Sequence, residues 1–176
     1  MRTVLTIAGS DSIGGAGIQA DLKTMCAHGV YGMCVITALT AQNTLGVQGI
    51  HTPPPEFARA QMDSVFADIR PDAVKIGMLS NAGVIRTVAE GLEYHHAANI
   101  VLDPVMVSTS KCRLLESEAE AALKGVLLPL ARVITPNLPE ACVLAGMEDI
   151  ADRAGMLAAA RNMAISPVPG IYIIFR

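Results

Sequence analysis

Apolar and polar positions along the chain fall into two alternating patterns. Residues 4–8 make an apolar run that predicts a strand covered on both faces, and Ile18, Leu22, Met25 and Cys26 then recur at i, i+4, i+7 and i+8, which predicts a helix with one apolar face. The same succession repeats. Residues 33–39 predict a second buried strand, and a polar loop over 40–44 leads through Gly and Pro residues to Pro55. Proline there suits the first turn of a helix, because its missing N–H would have no partner, and that helix carries Ala58, Met62, Val65, Phe66 and Ile69 on one face.

Residues 72–76 predict a third strand, and Asn81 an N-cap for a helix with Ile85, Val88 and Leu92 turned inward. Residues 99–102 predict a fourth strand, closing on Asp103-Pro104. Ser117 and Glu120 have the capping-box spacing ahead of Leu123, Val126, Leu127 and Leu130, and residues 133–135 predict a fifth strand. Helices follow at about 138–145 and 152–163. Pro167-Val168-Pro169-Gly170 then introduces a short apolar strand over 171–175, ahead of Arg176.

Strands alternating with amphipathic helices predict a three-layer α/β/α fold with a mainly parallel sheet, whose ligands sit outside the carboxyl ends of the strands. Asp11, Gln42, the loop at Met78, Asp103 and Asn137 all fall at that rim. One domain over residues 1–176 suits the length. A final strand needs a helix or partner to cover it, so the pattern predicts a C-terminally incomplete sheet and, through the exposed strand, a homo-oligomer.

Composition works by exclusion. A chain that is 52% hydrophobic and 16% charged suits a sheet covered on both faces. Net charge −3, three Tyr, three Phe and no Trp leave neither a basic footprint nor a stacking platform, which argues against nucleic acid. No apolar run approaches the ~20 residues of a membrane span and no basic leader opens the chain, so the expectation is a soluble, cytoplasmic protein. Cys26, Cys34, Cys112 and Cys142 show no C-x-x-C spacing and read as ordinary thiols. His28, His51, His95 and His96 have no ligand spacing and read as surface or turn residues.

Candidate chemistry starts in the turn from Gly9 to Asp21. Its glycines allow positive φ and close backbone approach, and the free N–H groups of a helix start attract anions. Residues 15–20 match G-x-G-x-x-A, but no Asp or Glu occurs from residue 22 through 55 to hold a ribose, and no Gly-Lys-Ser/Thr makes a P-loop. A phosphate must then be met by backbone amides, a metal and residues elsewhere. Each other candidate has a functional and a bland reading. Asp103 reaches a metal or starts a turn before Pro104. Asn137 and Glu140 organise magnesium and phosphates or simply cap a helix. Gln42 reads a heteroaromatic ring or is solvated, Met78 and Val105 line a slot or pack the core, and Asp21 binds a hydroxyl or favours the helix dipole.

Taken together, the stretches LTIAGSD, GGAGIQADLKT, VITALTAQNT, VKIGML, DPVM and ITPNLPEA resemble the hydroxymethylpyrimidine/phosphomethylpyrimidine kinases of thiamine biosynthesis, in the ribokinase-like superfamily. The likeness is collinear over about residues 4–145 and lies with the vitamin kinases. It implies transfer of the ATP γ-phosphoryl group to 4-amino-5-hydroxymethyl-2-methylpyrimidine and then to its monophosphate, with ATP and Mg2+ as cofactors. By the resemblance, Gln42 reads the pyrimidine, Gly9, Ala16, Asp21, Met78 and Val105 wall the substrate pocket, and Asp103, Asn137 and Glu140 serve the nucleotide phosphates, with Asp103 and Glu140 on the metal. Pyridoxal kinase of the same fold, or a non-catalytic pyrimidine-binding or structural fragment, are the rival readings.

Departures from the family pattern are specific. Ile13 replaces a small polar residue, and Thr109-Ser110-Lys111-Cys112 stands where Ser-Gly-Asp is expected. Residues 171–176 replace a Val-Lys-Gly-Gly-His segment, and no Gly-Thr-Gly-Cys turn follows. That turn supplies the family's anion hole and catalytic Cys or Asp, so the resemblance assigns no catalytic residue and predicts impaired activity for the chain as given.

Overall fold

A computed structural model of the chain describes residues 1–106, 117–163 and 171–176. Seven strands form one sheet: β1 (Thr3–Asp11), β2 (Tyr31–Asn43), β3 (Gly46–His51), β4 (Ala73–Ile76), β5 (Ile100–Leu102), β6 (Val133–Ile134) and β7 (Tyr172–Ile173). Their order is β3-β2-β1-β4-β5-β6-β7, parallel throughout except that β3 runs antiparallel to β2. The helices are α1 (Gly17–Ala27), α2 (Pro55–Asp68), α3 (Ala82–Tyr94), α4 (Ser117–Ala122), α5 (Leu138–Ala145) and α6 (Arg153–Met163).

Side-chain alternation sorts the helices into layers. Leu5 and Ile7 of β1 and Val74 and Ile76 of β4 are buried in one cluster with Met62 of α2 and Ile85, Val88 and Leu92 of α3. Thr6 and Lys75, between them in sequence, turn to the opposite face and meet Asp21 of α1. The three-layer α/β/α fold with a mainly parallel sheet is the one found.

Local signals explain the element ends. Asn81 accepts from the Val84 N–H and starts α3, while Gly146, at φ 65°, closes α5 in the left-handed conformation. Three expectations need correction. Residues 40–43, read as loop, prolong β2 and pair with β3 across a turn at Thr44 and Leu45. An edge hairpin needs no buried face, so its polar residues carry no alternation to betray it. Of the four apolar positions of α1 only Ile18 is buried, Leu22 and Met25 are half-buried beside Gly32 of β2, and Cys26 is exposed. Val126 is exposed because residues 123–127 form a π turn, whose wider spacing rotates it outward between buried Leu123 and Leu127.

The side chain of Ser117, in the expected capping box, the Thr109–Cys112 departure and Pro167–Gly170 lie outside the described residues. At the far edge, β7 continues the ladder on β6, with Tyr172 N donating to Arg132 O, Ile174 N to Ile134 O and Arg176 N to Pro136 O. Tyr172 and Ile174 are exposed there.

Candidate active site

At the end of β1 the glycine turn closes on its own acid. Asp11, only 4% exposed, accepts from Gly15 N and Ala16 N through Oδ2, both at 2.9 Å, and from Ile13 N through Oδ1 at 3.1 Å. Three amides of this turn are therefore spent, since an internal carboxylate already fills the concavity they make, while the first turn of α1 itself carries no side-chain cap. Gly17 is required by close approach: its φ is +55°, and a Cβ there would overlap the carbonyl oxygen of Gly9.

The neighbouring strand is fastened to this turn. Ser12 Oγ donates to Gln42 O at 2.8 Å and accepts from Gln42 N at 2.9 Å, while Thr40 Oγ1 donates to Ser10 O at 2.9 Å. Gln42 is thus pinned by its backbone, and among the described residues its side-chain oxygen has only Thr40 Oγ1 nearby, at 3.4 Å. A register shift between Ala8 and Gly9 skips Thr37 on β2. That buried hydroxyl instead donates to Met78 O at 2.8 Å, anchoring the loop after β4, as bulges beside ligand sites commonly re-aim a side chain.

Charges gather on the other side. Asp21 Oδ2 receives Thr6 Oγ1 at 2.6 Å and Lys75 Nζ at 2.9 Å. Asp103, just past β5, binds the Arg176 guanidinium with both oxygens, at 2.6 and 3.2 Å. Burial pushes the Asp103 carboxyl above the usual aspartate range, opposed by the Arg176 and Lys75 cations and reinforced by Glu140 and Asp21. Asn137 and Glu140 form a full capping box, Asn137 Oδ1 accepting from Glu140 N and Glu140 Oε2 from Asn137 N, both at 2.9 Å. Glu140 is 2% exposed yet lies 3.5 Å from Arg176.

All of these rims surround one cavity of about 800 Å³. Gly9, Ala16, Asp21, Gln42, Met78, Val105, Asp103, Asn137 and Glu140, the nine sites expected from sequence, all line it.

The phosphomethylpyrimidine kinase family model matches residues 11–171. The chain belongs to that family. It is 52% identical over 159 residues to the hydroxymethylpyrimidine/phosphomethylpyrimidine kinase of Salmonella typhimurium, covering 90% of this chain and 60% of that protein. The crystal structure of phosphomethylpyrimidine kinase from Clostridium difficile superposes with a TM-score of 0.88 at 47% identity, over 93% of this chain and 70% of that one. Pyridoxal kinase from Bacillus subtilis, solved as an ADP complex, superposes with a TM-score of 0.82 at 39% identity, over 93% and 60%. The chain thus spans 60% of the length of the Salmonella relative.

Within this kinase-family cavity, sequence reasoning missed several contributors, Lys75, Arg176, Val47 and Ile50 among them. Lys75 carried a signal, a charge inside an otherwise apolar strand. Arg176 carried none, because nothing in a terminal arginine points to Asp103. Val47 and Ile50 of β3 also line the cavity and were lost with the unrecognised hairpin. His95, read as a surface or turn residue, does stand in the turn after α3, but half-buried and held by specific contacts. Its Nε2 lies 2.7 Å from Asp63 Oδ1 and its ring stacks on Phe66 with centroids 4.4 Å apart.

Metal chemistry is tested by the donor set. No group of three His, Cys, Asp or Glu that could hold an ion occurs among the described residues. Two carboxylates, Asp103 and Glu140, do share a cation, the Arg176 guanidinium. Magnesium typically takes one or two carboxylates plus water and substrate phosphates, so the pair fits that ion. No helix among the described residues is long and apolar enough to cross a membrane.

Proposed function

We propose that the chain serves ATP-dependent phosphorylation of 4-amino-5-hydroxymethyl-2-methylpyrimidine, and then of its monophosphate, in thiamine biosynthesis. What supports this most is the convergence on one cavity of the glycine turn with Gln42 at one side and a carboxylate pair at the other. In this reading the Gln42 amide reads the ring with its donor and acceptor, and Gly9, Ala16, Met78 and Val105 flank it. Asp21 accepts the hydrogen bond of the hydroxymethyl group and so orients its oxygen. Asp103 and Glu140 are the residues that would hold magnesium, with Asn137 fixing Glu140 through the capping box. Magnesium, when bound, supplies neutralisation of the nucleotide phosphate charge. In the transfer, the hydroxymethyl oxygen bonds to the γ-phosphorus, the bond to the departing ADP oxygen breaks, and the hydroxyl proton is released. The protein's share of such a reaction is alignment and charge compensation. The same reading makes the protein a cytoplasmic small-molecule enzyme, with exposed Tyr172 and Ile174 on the edge strand supporting self-association.

Calorimetry with the pyrimidine and with magnesium–ATP, beside a coupled ATP-consumption assay, tests the proposal. Binding of both, with the pyrimidine alcohol phosphorylated in preference to pyridoxal, is the expected result. A preference for pyridoxal would move the assignment to the other vitamin kinase. Pyrimidine binding without nucleotide binding would leave a non-catalytic binding fragment, and binding of neither would overturn the proposal.

A further inference from the structure

Lys75 interrupts β4, whose neighbours Val74 and Ile76 are buried on the face of α2 and α3. It stands directly across the parallel ladder from Thr6 of β1, so both side chains leave the sheet on the α1 side at the same height. There they end on one atom: Thr6 Oγ1 and Lys75 Nζ both donate to Asp21 Oδ2. The second oxygen, Asp21 Oδ1, accepts from no described residue, although Asp21 and Lys75 both line the cavity. The surrounding backbone makes room for this arrangement, since a Cβ on Gly77 would lie 2.9 Å from Lys75 Nζ. With side chains 18% and 25% exposed, the pair is more enclosed than a surface ion pair, where such contacts fix little geometry.

We infer that Lys75 is a positioning residue for the acceptor alcohol: together with Thr6 it locks Asp21 by Oδ2, which reserves Oδ1 for the hydroxyl of the ligand. The inference deepens the proposed function and rests on it. An Asp held by two donors on one oxygen has lost the freedom to rotate, so its other oxygen is presented without an ordering cost at the moment of binding. Lys75 thereby sets specificity for a hydroxylated over a hydrogen-bearing side arm.

The test measures, by calorimetry on the whole chain, binding of 4-amino-5-hydroxymethyl-2-methylpyrimidine and of the analogue bearing a 5-methyl group in place of the alcohol. The wild-type chain should prefer the alcohol by about tenfold or more, the scale of a hydrogen bond to a charged group. Lys75→Met should bind the methyl analogue as before and lose most of that preference, and Lys75→Arg should restore part of it. Thr6→Val, which removes the second donor at constant shape, should lower the preference several-fold and decides the matter should the methionine variant not fold. Lys75→Met or Thr6→Val with an undiminished preference overturns the inference. So does a Lys75→Met chain that weakens for both ligands equally, since that is the mark of a merely structural ion pair. A wild-type chain that binds neither ligand fails at an earlier step and overturns the proposed function itself.

Discussion

Two helix starts face each other across the cavity, the glycine turn before α1 and the Pro136-Asn137 turn before α5, and each encloses an acid. At the first, Asp11 spends both oxygens on three backbone amides and faces no cation among the described residues. At the second, Glu140 holds the Asn137 amide yet stays within 3.5 Å of the Arg176 guanidinium that Asp103 also binds. The glycine turn thus folds three of its amides onto its own acid, and the α5 turn is open to positive charge. A glycine-rich helix start is a phosphate cradle only when the chain leaves its amides unfilled. Here the first rim has three amides turned inward on its own acid, and the second keeps its acids beside a cation.

Substitutions aimed at one rim should leave the other intact, and the largest effect is expected at Gly17. Gly17→Ala forces a side chain into the Gly9 carbonyl at positive φ, so urea unfolding should show a loss of about 3 kcal/mol. A loss below about 0.5 kcal/mol would mean that the closed rim is far softer than described. Next comes Gln42→Leu, which removes the amide and should weaken pyrimidine binding by about 2 kcal/mol in calorimetry while magnesium–ATP binding stays put. A matching loss for the nucleotide would merge the two rims into one.

Arg176→Gln removes the cation competing for the carboxylate pair, and magnesium should bind about tenfold tighter, roughly 1.4 kcal/mol. The same variant sharpens a pH effect. Because Asp103 is raised in the fold, the native state binds more protons than the unfolded chain, and stability falls as pH rises from the ordinary aspartate range through the raised value. Loss of the opposing guanidinium should steepen that fall in melting temperatures taken from pH 4 to 7. The smallest effect belongs to Asp63, on neither rim. Side-chain hydrogen bonds from Arg59 and then His95 hold its carboxyl low, so the pair's contribution is present at neutral pH and lost as pH falls through the lowered value. Asp63→Asn should cost under about 0.5 kcal/mol at pH 7 and change neither ligand's binding.

How much of this could be read from residues alone differs by element. The limits of α5 were legible because a capping box and a C-terminal glycine mark both ends in local chemistry. The inward face of α3 was equally plain, since Ile85, Val88 and Leu92 recur at helical spacing and all are buried. The nine residues that line the cavity were expected through their collective likeness to a family, each being ambiguous by itself. What stayed hidden depended on contacts between distant segments. Asp11 could not be seen to fill its own turn, nor Arg176 to reach back to Asp103 across 73 positions. The hairpin was hidden for the opposite reason: Thr40, Gln42 and Asn43 satisfy their backbones at an edge, where no buried side imposes a period.

The strand that completes that hairpin adds no residue to the hydrophobic cluster, yet Gly46, Val47 and Ile50 stand against the ligand space, and Leu45 at its tip is 90% exposed. Selectivity written on such an appendage can be rewritten letter by letter while the folding free energy scarcely changes. Evolution gains there a replaceable wall on a permanent chassis, which suits a scaffold whose relatives include kinases for two different vitamins.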